Sequence, residues 1–355
     1  MTEPAPSGPA SPSPEPTPVV APKPPSASRL GRMWTLSEQF PPIPMILVGI
    51  LTFLALDWSL QGLAGGDQEL VLSWRVIPGG LSVTLLAFIL RVYDELKDAD
   101  NDRRLAAAGD TRYMDRPIVT GAITEGDLQT ARWLTSGALL LCGISLGLKA
   151  LVVFFAVYFV FWLSFKWYFW PKIQQSLFLA LVTHNPLTLV VELYVVAMFW
   201  VLAPVPGPAW ALGLLLLGLW LPLTAWETSR KIRLPEMETD YETYSKIFGW
   251  KGAAIVPAVL VLISLGCLVG FSLAAKIPGS GGPVLYAFLG LGALVAVGGA
   301  LRLLLKPTPA ATKLRPFMEA YSFATQAGLC VAWGVARGVS LQTGALPWDP
   351  TLWSF

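Results

Sequence analysis

The amino-acid sequence predicts an all-α integral membrane protein, a nine-transmembrane-helix bundle with a polar cavity that faces the cytoplasm. Three observations support this prediction: the composition, the alternation of long apolar runs with short polar ones, and the concentration of charge on one side. The chain has 355 residues, of which 54% are hydrophobic and only 14% are charged. Soluble proteins carry closer to a quarter charged residues, so we expect most of this chain to lie in a bilayer.

Apolar runs begin at about residue 42 and recur to the end of the bundle. Most of them reach the roughly 20 residues that a helix needs to cross the hydrocarbon core. The third and fourth runs are so close in the sequence that we expect a tight antiparallel hairpin. The nine predicted spanning helices cover about 43–62, 76–93, 130–148, 150–167, 176–202, 210–226, 252–273, 284–304 and 319–338.

Two tails flank this domain, which we place at residues 29–340. Residues 1–28 are dominated by Pro, Ala and Ser, a composition that cannot bury a core and predicts a disordered Pro-rich tail. This tail has no apolar stretch of the kind found in a secretory signal peptide. Residues 341–355 are predicted to be a short C-terminal tail.

Positive charge predicts the orientation. With a cytoplasmic N-terminus, only Arg75, Lys149, Lys276 and Arg337 face outwards, which leaves 21 of the 25 Lys and Arg residues on the cytoplasmic side. This bias predicts a multi-pass protein of the cell inner (plasma) membrane, in contact with membrane lipids, whose active site and N-terminus face the cytoplasm. Both main acidic clusters fall on that same side.

Several classes of function are excluded by composition. The net charge of +2 gives no reason to expect a nucleic-acid partner, and no sequence feature indicates a protein partner. The three cysteines all lie in apolar runs, which argues against disulfides and against a thiolate metal site. A single histidine argues against zinc. Carboxylates and Mg²⁺ remain as the plausible metal chemistry.

The first acidic cluster follows the second apolar run. Asp94, Asp98 and Asp102 recur every four residues, so on a helix the three carboxylates share one face. Neighbours along that face are about 6 Å apart and the outer two about 12 Å. Two neighbours can therefore share one hard cation, but all three cannot. The alternative is an ordinary solvated acidic segment at the membrane surface.

The second cluster ends the sixth predicted helix. Glu227 opens it, Arg230 and Lys231 lie one turn on, and Pro235 is expected to end or kink the helix. The cluster extends to Gly249, and its remaining charged residues are Arg233, Glu236, Glu238, Asp240, Glu242 and Lys246. A pair of mixed clusters suits one ligand: carboxylates hold Mg²⁺, Mg²⁺ holds a diphosphate, and basic residues bind its other oxygens. The apolar bundle can then hold a hydrocarbon tail.

These motifs resemble the UbiA superfamily of intramembrane prenyltransferases, and the pattern is similar to a bacterial branch of it. The run from Asp94 to Asp102 resembles the family's N-D-x-x-D-x-x-x-D, with Asp94 in place of Asn. Arg116-Pro117 with Gly121 resembles the R-P-x-x-x-G that follows it. The resemblance covers about residues 40–338.

Further elements of the resemblance lie later in the chain. Lys166, after the aromatic run from Tyr158, stands where the family has Tyr-x-x-x-Lys-Arg. The segment 241–249 matches the approach to helix seven. The second motif departs from the family's aspartate series, because Glu227 leads it and Lys231 occupies the i+4 position.

The resemblance implies Mg²⁺-dependent transfer of a prenyl group from an allylic prenyl diphosphate to an aromatic or other lipid acceptor within the membrane. It implies three sets of site residues. The catalytic set is Asp94, Asp98, Asp102 and Glu227; the metal set adds Glu238; the substrate-binding set is Arg116, Lys166, Arg230, Lys231 and Arg233.

Two other functions remain open. A class I terpene cyclase of the same fold would quench the allylic cation within the prenyl chain itself. A cation transporter is disfavoured, because its ionisable residues should lie near mid-membrane on broken helices rather than at one interface. His184, inside the fifth predicted helix, either orients an acceptor or bonds across helices with help from Asn185 and Pro186.

Overall fold

The computed structural model describes residues 28–64, 68–200, 207–238 and 242–341. The predicted tails, up to residue 27 and from residue 342, lie outside these ranges, and so does Asp240. The helices are α1 Arg29–Gln39, α2 Pro42–Ala64, α3 Val76–Ala107, α4 Thr111–Met114, α5 Pro117–Thr120, α6 Glu125–Leu146, α7 Leu148–Phe165, α8 Leu177–His184, α9 Pro186–Trp200, α10 Ala209–Ser229, α11 Tyr244–Ala274, α12 Gly281–Leu305 and α13 Arg315–Arg337.

Strands are confined to one small parallel pair. Leu70–Leu72 (β1) lies beside Val339–Leu341 (β2), with Leu70 opposite Val339. The side-chain amide of Gln61 bonds the backbone of Val71 on β1, donating to its oxygen at 3.0 Å and accepting from its nitrogen at 2.8 Å. This pairing fastens the end of α13 to the α2–α3 connection, at the end of the bundle away from the acidic clusters.

Within the described ranges, helices occupy all nine apolar runs, and the all-α membrane fold is confirmed. Seven stretches in the described ranges are long and apolar enough to cross a membrane: α2, α3, α7, α8 with α9, α10, α11 and α12. The helices of the other two runs, α6 and α13, are not among them. The number of nine membrane-spanning helices therefore stays a prediction. The seven apolar helices are enough to identify a multi-pass membrane protein.

The bundle core forms where small residues let helices approach closely. At the crossing of α2 and α3, a Cβ added to Gly49 would lie 2.8 Å from the carbonyl oxygen of Gly80. Such close approaches are typical of membrane helices, which pack through small residues rather than through exclusion of water. The largest fully buried side chains include Trp333, Tyr194 and Phe271.

Three local features differ from the sequence prediction. The fifth helix is not continuous, because α8 ends at His184 and α9 begins at Pro186, which has no N–H to continue the ladder. The hairpin between α6 and α7 is tighter than expected: Gly147 alone joins them, at φ 102°. Helix six ends at Ser229, and Pro235 instead opens a short 3₁₀ turn, Pro235–Met237.

A short amphipathic helix, α1, was not predicted. Its Leu36 and the following Phe40 are buried in a cluster with residues of α3, α5 and α6. Arg32 donates two hydrogen bonds to Asp127 at the start of α6, at 2.7 and 3.2 Å. The helix is thereby fastened beside the charged end of the bundle, which we define as the ends of α3, α7 and α10 with the starts of α6, α8 and α11.

Candidate functional site

The three aspartates of the first cluster lie on one unbroken helix, α3, as predicted. Their environments differ. Asp94 pairs with Lys97, whose Nζ lies 3.0 Å away. Asp102 is buried and bound to Arg116. Asp98 makes no ion pair with any described residue, and its side chain lines a cleft. The central carboxylate is therefore the one available to a ligand.

The R-P-x-x-x-G segment builds the support for Asp102. Pro117 occupies the first turn of the short helix α5, and Gly121 ends that helix at φ 77°, a left-handed conformation that favours glycine. Arg116 is the N-cap residue, and its Nη1 reaches Oδ2 of Asp102 at 2.5 Å. The sequence motif thus places a guanidinium against the acidic row.

The cleft has a volume of about 780 Å³ and lies between α3 and the α7–α8 connection. It presents hard oxygen donors, one cationic side chain and an aromatic wall. Of its lining residues, only Asp98 belongs to the site residues predicted from the sequence. Two other lining residues could have been predicted from the sequence, because Asn101 and Arg104 follow Asp98 by three and six residues on the same helix. The lining residues are Asp98, Asp100, Asn101, Arg104, Trp167, Gln174 and Gln175.

The α7–α8 connection begins with a strained turn. Trp167, Tyr168 and Phe169 have φ values of 51°, 51° and 55°. Left-handed backbone costs about 1–2 kcal/mol for each L-residue, so contacts must hold the turn in place. The hydroxyl of Tyr168 donates to the carbonyl of Thr183 at 3.0 Å, and Nζ of Lys97 lies 4.5 Å from the centre of the Trp167 ring. These contacts place Trp167 in the cleft wall.

Lys166, predicted to bind substrate, lies next to this turn but not in the cleft lining. Its side chain is exposed. Its Nζ lies 5.0 Å from the centre of the Phe165 ring. The structure thus places it at the charged end without a contact to the acidic row.

The two residues at the break between α8 and α9, His184 and Asn185, contact the cleft wall on one side and α10 on the other. The ring of His184 meets Trp167 edge-on, with 5.0 Å between centroids. Next to it, Asn185 accepts from the hydroxyl of Thr224 at 2.6 Å through its side chain and from Nε1 of Trp220 at 3.3 Å through its carbonyl. Thr224 lies one turn before Glu227, so a chain of contacts runs from α3 to the end of α10.

The second cluster is held by an ion pair at the end of α10 and by bonds to the start of α11. Glu227 pairs with Arg230 at 2.8 Å. The backbone of Lys231 accepts from Tyr244 at 3.1 Å, and the backbone N–H of Arg233 donates to Ser245 at 2.7 Å. These bonds fasten the α10–α11 connection to the start of α11.

Glu238 lies on that connection rather than on α10. Its carboxylate accepts from the hydroxyl of Thr243, the N-cap residue of α11, at 2.8 Å. It therefore does not continue the helix face of Glu227, a point that the sequence left open because Pro235 interrupts the pattern.

One bond joins the start of α8 to the second cluster. The N–H of Leu177, at the start of α8, donates to a carboxylate oxygen of Glu242 at 2.9 Å. Leu177 follows Gln174 and Gln175 of the cleft by only a few residues, so α8 begins close to the cleft along the chain and is bonded to the second cluster. Within the described ranges, no three carboxylate, histidine or cysteine side chains converge into a metal-binding group. A single site that uses both clusters stays a prediction.

Comparisons with solved structures give two matches. The apo structure of a UbiA homolog from Aeropyrum pernix K1 has 17% identity and a TM-score of 0.58, over 80% of this chain and 97% of that one. A structure of a digeranylgeranylglyceryl phosphate synthase has 15% identity and a TM-score of 0.55, over 86% and 98%. No protein-family model matches the chain, and no curated protein matches it. The chain therefore has the UbiA fold, as its first motif implied.

Proposed function

We propose that this protein transfers a prenyl group, with Mg²⁺, from an allylic prenyl diphosphate to an aromatic or other lipid acceptor within the membrane. One observation carries the proposal: the unpaired carboxylate of Asp98 lines a cleft at the charged end of a bundle that has the UbiA fold. The cationic side chain of Arg104 lines the same cleft. A ligand with an anionic head and an apolar tail matches this arrangement.

The donor set of the cleft fits Mg²⁺. Asp98, Asn101, Gln174 and Gln175 offer carboxylate and amide oxygens, and Mg²⁺ prefers oxygen ligands. It is usually held by only one or two carboxylates together with substrate phosphates and water, so a cage of three carboxylates is not required. Asp98 and Asp94 would hold the ion. When bound, Mg²⁺ would neutralise charge that develops on the departing diphosphate.

Basic residues at the charged end of the bundle would bind the diphosphate. Arg104 lines the cleft, and Arg116 binds Asp102, one turn beyond Asp98 on α3. Guanidinium groups present several N–H donors to phosphate oxygens, and this stabilisation grows as the carbon–oxygen bond breaks. We assign Arg230, Lys231 and Arg233 the same role from the side of α10. Asp102 holds Arg116 in place. For Asp102 to bind the metal ion itself, its ion pair with Arg116 would have to break.

The bundle below the cleft would hold the prenyl chain and exclude water. Tyr93, beside Asp94, stacks on Phe165 with 4.6 Å between ring centroids, and its hydroxyl donates to Tyr158 at 3.3 Å. Aromatic faces stabilise a nearby cation, and exclusion of water protects an allylic cation from hydrolysis. The acceptor would meet the cation in this apolar region.

The test is incubation of the purified protein with Mg²⁺ and geranyl, farnesyl or geranylgeranyl diphosphate, with and without aromatic acceptors. We expect diphosphate release and a prenylated acceptor. Release without an acceptor, with a cyclic hydrocarbon product, would instead establish the cyclase. No release with any donor would refute both, and the cation-transport alternative would then be examined in proteoliposomes.

A further inference from the structure

Lys97 is held in an environment that is unusual for a lysine. It follows Asp94 by three residues on α3, and its side chain is only 5% exposed. Lysine side chains are almost never buried unless their charge is paired. Here Nζ lies 3.0 Å from Oδ1 of Asp94 and 4.5 Å from the centre of the Trp167 ring. The ammonium group is therefore a fixed cation inside the acidic row.

This ammonium group occupies an oxygen through which Asp94 could bind a metal ion. A Mg²⁺ ion on Oδ1 of Asp94, at a bond of about 2.1 Å, would lie within about 5 Å of Nζ while the ion pair stays closed. Two cations at that distance, one of them divalent, repel strongly where water is excluded. The other oxygen, Oδ2, lies 3.9 Å from Nη1 of Arg91. Both oxygens of Asp94 thus face a positive charge of the protein itself.

The acidic row keeps one carboxylate without a paired cation. Lys97 pairs with Asp94. Arg116 does the same for Asp102, whereas Asp98 has no ion pair among the described residues and lines the cleft. Mg²⁺ keeps several waters and is usually held by one or two carboxylates together with substrate phosphates. A single unpaired carboxylate is therefore a weak site for Mg²⁺ alone, and the oxygens of a diphosphate would complete it.

We propose that Lys97 is a built-in counter-ion that keeps Mg²⁺ from binding stably to the acidic row until a diphosphate is present. This inference rests on the proposed function and adds a positioning residue to it, because Lys97 acts on the metal ion through Asp94. The diphosphate supplies the negative charge and the oxygens that the paired carboxylate of Asp94 does not offer. Metal ion and diphosphate therefore bind together.

Metal binding without turnover tests this inference. The purified protein in detergent is dialysed to equilibrium against Mn²⁺, which also prefers oxygen ligands, with and without inorganic diphosphate. Bound Mn²⁺ is the excess of metal on the protein side of the dialysis membrane. We expect the wild-type protein to bind Mn²⁺ weakly when it is alone and about 10-fold more tightly, or better, with diphosphate. A wild-type affinity for Mn²⁺ that diphosphate does not change would overturn the inference.

Two matched lysine variants separate the role of Lys97 from the general effect of removing a positive charge. Lys97→Met should bind Mn²⁺ alone about 10-fold more tightly, because a hydrogen bond between charged groups is worth about that much and no longer has to break. Diphosphate should then raise the affinity by less than in the wild type. Lys172→Met, at an exposed position in the α7–α8 connection, is the control and should keep the wild-type affinities. Equal Mn²⁺ affinities of the two variants would refute the role of Lys97.

The gain in Lys97→Met should depend on Asp94. Asp94→Asn in the same protein should remove the gain, since the metal ion then has no second carboxylate, and Lys97→Arg should keep the wild-type affinity because it keeps the charge. If Lys97→Met does not fold, Lys97→Gln serves the same test. A gain that survives Asp94→Asn would overturn the inference. A wild-type protein that binds Mn²⁺ as expected but releases no diphosphate from any prenyl donor would refute the proposed reaction alone, because metal binding requires no turnover.

Discussion

The guanidinium of Arg116 holds the buried carboxylate of Asp102 at 2.5 Å and so joins the α5 turn to the acidic row of α3. Arg116→Ala would leave that carboxylate buried without a partner, at a cost of about 1–3 kcal/mol. We expect a lower midpoint of thermal unfolding in detergent. Asp102→Asn in the same background should recover part of the loss, since the unpaired charge is gone. Simple additivity of the two substitutions would contradict this coupling.

Asp98 should be the most sensitive of the three aspartates, because it alone in the row has no ion pair within the described part of the chain. Asp98→Asn should lower Mg²⁺-dependent diphosphate release by about 10²–10³-fold, the usual effect of losing one electrostatic contact in a transition state, with normal thermal unfolding. Asp115→Asn, at an exposed position near the same end of the bundle, is the matched control. Equal rates for the two variants would exclude Asp98 from the site.

The Arg32–Asp127 pair should make stability depend on acid pH. Hydrogen bonds from Arg32 lower the pKa of Asp127 from its ordinary 3.8 to about 2. A depressed carboxyl pKa stabilises the folded chain above the unfolded value, and that stabilisation is lost as the pH falls through the folded value. The difference in unfolding midpoint between wild type and Asp127→Asn should therefore be constant above about pH 4 and shrink towards pH 2. A difference that does not change over this range would contradict the pairing.

Truncation should separate the Pro-rich tail from α1. Removal of residues 2–27 should leave activity unchanged, since that composition supports no packed core. The cut keeps Ser28, whose hydroxyl accepts from the N–H of Gly31 and caps α1. Removal of residues 2–40 should lower the unfolding midpoint, because it deletes the buried Leu36 and Phe40 as well as Arg32. Equal stability of the two truncated proteins would show that α1 does not fasten the charged end.

Apolar composition was sufficient to predict the long apolar helices, and the acidic spacing was sufficient to place Asp94, Asp98 and Asp102 on one helix. Pro186 signalled the break in the fifth helix, although the prediction kept it continuous. The strained turn at Trp167 carries no glycine and so gives no local signal. Its contacts with Lys97 and His184 join residues far apart in the sequence, so periodicity could not reveal them. Helix α1 was missed because it is too short and polar to resemble a span.

We propose that both charged clusters act on one diphosphate. Glu227 lies in the last turn of α10 and pairs with Arg230, and the first residue of α8, which follows the cleft residues Gln174 and Gln175, bonds Glu242 of the second cluster. The most direct measurement is the rate of Mg²⁺-dependent diphosphate release in four proteins: wild type, Asp98→Asn, Glu227→Gln and the double variant. If the carboxylates serve one transition state, the double variant should be about as slow as the slower single one. A double variant whose loss equals the product of the two single losses would show that the clusters work independently and would contradict the account.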